Sequence, residues 1–237
     1  MVASILAEKL ADINFNLILI SKDIIKLKKL QSKLLKKFFI KVDIFAVDLE
    51  NINSSNILSD YLKKTVSNIN SIIFLARNTN HLFDDRKDFS RELFNSEFNL
   101  SLAFPVEFSL KISQLFKKKL KSIIFTSSIY GLLTPNENLY IDSGFTPISY
   151  SSSRSAIIHA AKHLAKRLAP FTIVNTIVLG GVEGIQSDNF KMKYKQLSPS
   201  KQMIRKDDIL YPFLYFINAP STNFTGSVLT LDGGWTI

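Results

Sequence analysis

The stretch Ile123-Ile-Phe-Thr-Ser-Ser128, followed by Tyr150-Ser-Ser-Ser-Arg154, says most about the fold of this chain. The first part is an apolar run that ends in two serines, which is typical of a buried strand with a polar end. In a helix, Tyr150 and Arg154 project side by side, one turn apart. A cation there favours a phenolate, and a nearby serine can hold a substrate oxygen. The stretch therefore predicts an acid–base site for carbonyl or alcohol redox chemistry.

Apolar β-like runs alternate with helical patterns along the chain. This alternation predicts an α/β fold, a doubly wound, Rossmann-like parallel sheet covered on both faces, in a single domain over residues 1–237. The predicted strands are 17–21, 42–47, 71–76, 121–126, 171–178 and 227–231. The predicted helices are about 2–13, 22–38, 54–68, 86–118, 150–169 and 206–218. The polar segments 132–149 and 183–205 are predicted to be loops or short lids, and both follow strands, where open α/β sheets bind ligands.

The composition favours a cytoplasmic protein without nucleic-acid or membrane partners. The chain has no cysteine, which excludes disulfides and thiolate metal sites. Its apolar runs are too short to span a bilayer, and residues 1–16 do not resemble a signal peptide. The net charge of +10 owes much to eight lysines between residues 22 and 41. Apolar residues recur at helical spacing among these lysines, which indicates a solvated helix face rather than a nucleic-acid surface.

The beginning of the chain departs from the usual order of a nucleotide-binding domain. Such a domain opens with a strand, a glycine-rich turn and a helix whose N-terminus holds a pyrophosphate. This chain opens with a helix-like segment, 2–12, and has no GxGxxG-type run in its first hundred residues. We expect the first strand, normally beside 17–21, to be missing and to leave two strand edges unpaired. Three explanations stay open: a start further upstream, a segment supplied differently, or a decayed relative.

Several stretches, taken in order, resemble the short-chain dehydrogenase/reductase family. Asp48-Leu49 closes the predicted third strand of such a domain, and Ala76-Arg77-Asn78 stands in place of the family's Asn-Ala-Gly. Asn99 lies in the long helix at the family's structural and proton-relay Asn, and Ser128 matches the catalytic serine. Tyr150 matches the catalytic tyrosine, and Arg154 stands where the family has Lys. The resemblance continues in Val174-Asn-Thr-Ile-Val-Leu-Gly-Gly181 and in Thr225-Gly-Ser-Val-Leu-Thr-Leu-Asp-Gly-Gly-Trp235.

The resemblance implies roles for individual residues. The implied catalytic residues are Tyr150, Ser128, Arg154 and Asn99. The implied cofactor-binding residues are Asp48, Leu49, Ala76, Arg77, Tyr150, Arg154, Gly180, Gly181 and Val182. No metal site is expected: His159 and His163 have helical metal spacing but no third ligand nearby.

The implied function is an NAD(P)-dependent oxidoreductase acting on a hydroxyl or keto group of a small molecule. Lys22, after the second strand of such a domain, favours NADP over NAD. The insertion with Tyr130-Gly131, Tyr140 and Gly144 resembles a subgroup of surface-glycan pathways, which suggests a sugar-derived substrate. An alanine face on the Tyr150 helix (Ala156, Ala160, Ala161, Ala165) suggests a homo-oligomer.

The alternative is a catalytically impaired relative with a structural or subunit role. It is supported by the missing glycine loop, by Arg154 in place of Lys, and by Arg77, which is expected to crowd a cofactor. Arg154 can supply a positive charge, but its planar fork cannot release a proton into a relay.

Overall fold

A computed structural model describes residues 1–77, 89–140, 146–219 and 221–237. The strands are short and apolar, and every strand pairing is parallel. Their bounds are β1 Leu17–Ser21, β2 Val42–Ala46, β3 Ser71–Phe74, β4 Ser122–Ser128, β5 Ile173–Leu179 and β6 Val228–Leu231. All six strands predicted from the sequence are confirmed, with ends that differ by at most two residues.

The helices occupy the segments between the strands. Their bounds are α1 Val2–Asp12, α2 Ile24–Lys37, α3 Ser54–Thr65, α4 Arg91–Phe98, α5 Phe104–Phe116, α6 Ile148–Leu168, α7 Asp188–Leu197 and α8 Leu210–Ile217. None of the helices in the described ranges is long and apolar enough to cross a membrane.

Two helical predictions need correction. The prediction of a loop over 183–205 was wrong, because the segment contains α7. The Ser187 side chain caps this helix by accepting a hydrogen bond from the Phe190 backbone N–H. Tyr194 is buried and stacks on Phe190, so these aromatic side chains attach an otherwise polar helix to the protein. The helix predicted over 86–118 is two helices, α4 and α5, joined by a π-helical turn at Asn99–Ala103; residues 86–88 lie outside the described ranges.

The strands form two sheets in the described part of the chain. The first contains β1 and β2, and the second has the order β3-β4-β5-β6. Ile18 of β1 and Ile72 of β3 join one hydrophobic cluster, while Leu17 and Ile73 join another. The two strands therefore lie between the same helix layers. All residues of β1 and β3 are partly exposed, whereas every residue of β5 is buried, because β1 and β3 each have one edge without a described strand partner.

Helices cover both faces of the larger sheet. One face carries a cluster formed by α3, α5 and α6, with Phe108, Ile112 and Ile157 almost fully buried. The opposite face packs against α1 and α8, through Leu6 and Phe213 among others. This is the doubly wound α/β arrangement. Because the strands are parallel, their carboxyl ends meet at one edge, which contains the residues predicted to form the site.

Candidate active site

Ser128 and Tyr150 lie on either side of the segment that leaves the carboxyl end of β4. Ser128 is the last residue of β4, and its Oγ accepts a hydrogen bond from the Tyr130 backbone N–H at 3.3 Å. Tyr150 lies in the first turn of α6, where its half-buried ring packs in a cluster with Ile129 and Tyr130. The Ser127 hydroxyl donates to the Arg154 carbonyl at 2.7 Å and joins β4 to α6. The phenol is therefore held beside the end of the central strand.

Arg154 is buried beneath Tyr150 and paired with a carboxylate. Its guanidinium carbon lies 5.0 Å from the centroid of the Tyr150 ring. Its Nη2 donates to Glu97 Oε1 at 2.9 Å, and its Nη1 donates to the Thr126 carbonyl at 3.3 Å. Arg154 is only 7% exposed and Glu97 only 1%. Arg154 thus supplies a cation close to the tyrosine, but with its negative partner attached.

Sequence reasoning missed Glu97 and two serines beside it. Glu97 Oε1 also accepts hydrogen bonds from Ser101 Oγ at 2.6 Å and Ser153 Oγ at 2.8 Å. Glu97 and Ser101 are four residues apart across the π-helical turn, so they reach the same side of it. The available signal was an arginine predicted inside the site, since a buried cation requires a buried anion.

Asn99, the predicted relay residue, lies in the π-helical turn between those two residues. Its side chain is exposed and makes no hydrogen bond within the described ranges. Glu97 and Ser101, two residues before and two residues after Asn99, contact Arg154 instead. A role for Asn99 remains a prediction.

The predicted cofactor residues after β2 and β3 lie at the carboxyl edge. Lys22 Nζ, after β1, lies 4.0 Å from Asp48 Oδ2, after β2. The side chain of Leu49 packs into the core cluster below this edge. Ala76 and Arg77 are exposed after β3, and Asn78 lies outside the described residues.

Arg77 adds positive charge to this edge. Burial and, secondly, the charge of Arg77 lower the pKa of the Met1 α-amino group. The charge of Arg77 also lowers the pKa of the Tyr140 hydroxyl, against the larger opposite effect of burial.

Contacts within the chain fix the backbone of the Gly180-Gly181-Val182 turn. The Gly180 N–H donates to the Leu231 carbonyl at 2.9 Å, and the Gly181 N–H donates to Tyr194 Oη at 2.8 Å. Val182 is buried and forms a β-bridge with Ile204. Tyr194 lies on α7, so this helix, which was not predicted from the sequence, helps to position the backbone of the turn.

We expect Gly181→Ala to lower the free energy of unfolding by about 1–3 kcal/mol, the usual cost of overpacking a filled site. A Cβ at this position would lie 2.5 Å from Tyr194 Cε2, and the Tyr194 ring is fixed by stacking on Trp235. Urea unfolding measures the effect. Gly184→Ala is the matched control, because its Cβ would meet the flexible end of the Met1 side chain. Equal losses for both variants would contradict the prediction.

Aromatic side chains lie in the same cluster as the Tyr150 ring. The hydroxyls of Tyr130 and Tyr140 are 2.7 Å apart, and the Tyr140 ring lies 5.6 Å from that of Phe190. Burial raises the pKa of Tyr140 to about 12 and raises the pKa of Tyr130 still further. Both phenols therefore stay neutral in the physiological range. Gly144, which the sequence analysis grouped with them, lies outside the described residues.

The terminal Asp-Gly-Gly run has a structural role in this chain. Asp232 Oδ1 accepts from the Gly234 N–H and Oδ2 from the Thr236 N–H, each at 2.9 Å. Gly233 and Gly234 have φ values of 67° and 84°, which favour glycine. The turn presents Trp235 to Tyr194, with ring centroids 4.4 Å apart.

Two further expectations concern α6. The rings of His159 and His163 lie 5.0 Å apart on its exposed side, and within the described ranges no three His, Cys, Asp or Glu residues form a group able to hold a metal. Ala161 and Ala165 are buried in the chain's own core, so only Ala156 and Ala160 of the predicted alanine face are partly exposed. The homo-oligomer that this alanine face suggested stays a prediction.

Comparison with known proteins agrees with this geometry. A family model described as enoyl-(acyl carrier protein) reductase matches residues 2–236. The sorbose reductase of Schizosaccharomyces pombe is 30% identical over 125 residues, which are 51% of this chain and 46% of that protein. The chain spans about half the length of the curated relatives that it matches.

Solved structures share the fold. A short-chain dehydrogenase from Leptospira borgpetersenii with bound NAD+ superposes with a TM-score of 0.78 at 24% identity, covering 94% of each chain. The L-sorbose reductase of Gluconobacter frateurii, complexed with NADPH and L-sorbose, has a TM-score of 0.83 at 15% identity and covers 99% of this chain and 92% of its own. The match of the family model over nearly the whole sequence, on a doubly wound sheet with Ser128 and Tyr150 at its carboxyl edge, shows that the chain belongs to the short-chain dehydrogenase/reductase family.

Proposed function

We propose that this chain is an NAD(P)-dependent oxidoreductase that acts on a hydroxyl or keto group of a sugar-derived small molecule. The observation that carries the proposal is the placement of Tyr150 beside the end of β4, with the Arg154 guanidinium 5.0 Å from its ring. A phenol, a serine hydroxyl and a cation form the donor set that such a reaction requires.

Tyr150, Ser128 and Arg154 would each have a separate role in the proton transfer. The Tyr150 hydroxyl donates a proton to the oxygen of a keto substrate, or its phenolate accepts the proton of an alcohol. The Ser128 hydroxyl donates a hydrogen bond to the same oxygen and orients it. Arg154 favours the phenolate by its charge. Nicotinamide, when bound, supplies or accepts the hydride.

The charges at the carboxyl edge fit an anionic dinucleotide. Lys22 follows β1 and Arg77 follows β3, and both are exposed at this edge. A cation at the tip of β1 favours a ribose 2′-phosphate and hence NADP. Lys22, Asp48 and Arg77 would hold the cofactor at this edge.

The aromatic wall supports the sugar class of substrate. Tyr140 shares a cluster with the reactive phenol and carries both a ring and a hydroxyl, and the Phe190 ring lies 5.6 Å from that of Tyr140. Such surfaces combine apolar contact with hydrogen bonding, as a polyhydroxylated carbon chain requires. The similarity to sorbose reductases points to the same class.

Fluorescence titration with NADPH and NADH tests the cofactor, and oxidation of NADPH with L-sorbose, D-fructose and acetoacetyl-CoA tests the substrate class. We expect tighter binding of NADPH and turnover with a ketose. Lys22→Gln should reduce the preference for NADPH, whereas Lys26→Gln, an exposed lysine paired with Asp23, should not. If neither nucleotide binds at millimolar concentration, the proposal is wrong for this chain.

One observation favours a second candidate, a non-catalytic family member with a structural or subunit role. The Nη1 and Nη2 donors of Arg154 are engaged by Glu97, Ser101 and the Thr126 carbonyl, so they are directed into the protein. Nucleotide binding without turnover of any ketone or alcohol would favour this candidate.

A further inference from the structure

The ion pair beneath Tyr150 is unusually well enclosed. Glu97 Oε1 receives three donors, namely Arg154 Nη2 at 2.9 Å, Ser101 Oγ at 2.6 Å and Ser153 Oγ at 2.8 Å. Ser153 follows Tyr150 on the same helix, and its single hydroxyl hydrogen is shared between Glu97 Oε1 and the Tyr150 carbonyl, which lies 2.9 Å from Ser153 Oγ. The carboxylate thus joins α4 and the π-helical turn to the first turns of α6.

The carboxylate determines where the cation lies. An arginine side chain has many rotamers, and a buried guanidinium is stable only where donors find acceptors. Glu97 is the anion that meets the Arg154 guanidinium, and this contact fixes the guanidinium under the Tyr150 ring.

The other titratable groups of the cluster around Tyr150 are three phenols, and Arg77 acts on one of them. Tyr130, after β4, Tyr140, from the following segment, and Tyr194, on α7, interact electrostatically within this cluster. Burial raises the pKa of each of these three phenols, so they are neutral in the working range. Arg77, after β3, acts on Tyr140. The Arg154 guanidinium carbon lies 5.0 Å from the centroid of the Tyr150 ring, and Glu97 is its ion-pair partner.

We propose that Glu97 is a positioning residue that holds the Arg154 guanidinium under Tyr150 and, by its negative charge, offsets much of the field that this cation exerts on the phenol. The catalytic meaning of this inference rests on the proposed function. The electrostatic effect of Glu97 on Tyr150 does not depend on the proposed function, because the ionisation of Tyr150 can be followed without turnover. The pair would therefore set the pH range in which Tyr150 can exchange its proton.

Glu97→Gln tests the inference most directly. The amide keeps an oxygen acceptor for the serines but removes the charge, so the cation acts on the phenol without compensation. We expect the pH midpoint of Tyr150 ionisation to move down, because the cation then favours the phenolate without an opposing charge. The signal is the ultraviolet absorbance of tyrosinate, taken as the difference between each protein and the same protein carrying Tyr150→Phe. If turnover is found, the limb of the pH–rate profile that depends on phenolate should move equally.

Glu107→Gln is the matched control. It removes the same charge from α5, where Glu107 pairs with Lys111 at the surface, and it should leave the midpoint and the pH–rate profile unchanged. An unchanged midpoint in Glu97→Gln, or an equal shift in Glu107→Gln, would overturn the inference.

A second variant keeps the inference testable if Glu97→Gln does not fold. Glu97→Gln with Arg154→Met removes both charges, and we expect a midpoint close to that of the parent protein because the two fields largely cancel. A large rise of the midpoint in the double variant would show that Arg154 acts without compensation and would refute the role of Glu97. Absence of turnover in every variant would contradict the proposed function alone, since the absorbance titration is independent of it.

Discussion

Tyr150→Phe is expected to lower kcat by about 10²–10⁴-fold, the contribution of one acid–base group, while leaving NADPH binding intact. The substitution removes the phenol oxygen and keeps the ring that packs against Ile129 and Tyr130. The ring also remains above the Arg154 guanidinium, so the cation–π contact survives. Steady-state assays with the best ketose, together with nucleotide titration, measure the two quantities separately.

Tyr211→Phe serves as the control for this experiment. Tyr211 lies on α8 and is 68% exposed, so the loss of its hydroxyl should change neither kcat nor stability. Full turnover by Tyr150→Phe would show that another group handles the proton.

Arg154→Met is expected to lower the free energy of unfolding by about 3–5 kcal/mol, because it leaves a buried carboxylate without its cation. Glu97 is 1% exposed and cannot turn to solvent without opening the contact between α4 and α6. The double variant Glu97→Gln with Arg154→Met should lose less than the sum of the single variants, since no uncompensated charge stays buried. Urea unfolding of all four proteins completes the cycle.

Arg205→Met is the matched control for the buried pair. Arg205 Nη2 lies 2.8 Å from Asp208 Oδ1, but its side chain is 66% exposed. A surface pair of this kind contributes little, so this substitution should change the free energy of unfolding far less than Arg154→Met does. Equal losses for Arg154→Met and Arg205→Met would show that burial does not decide the strength of the Arg154 contact.

Sequence patterns predicted the strands and helices well where one side of an element is continuously apolar. β4 and β5 are examples, because almost all of their residues are buried and each contains a run of apolar residues. The helix α7 was not predicted, because most of its residues are polar and its contact with the core depends on the Tyr194 ring. The Asp-Gly-Gly end was recognised correctly as a motif, yet its contacts within the protein, through Asp232 and Trp235, were not predictable from spacing.

The sequence by itself determined the order of the layers and the placement of Ser128, Tyr150 and Arg154 at one edge. These properties follow from local periodicity and from the rule that the ends of parallel strands meet at one edge. Only the tertiary structure decided that Arg154 pairs with Glu97, 57 residues away, and that β1 and β3 lie between the same helix layers without pairing to each other. Contacts between distant segments depend on how whole elements pack, and no spacing along the chain encodes which buried anion a buried cation will meet.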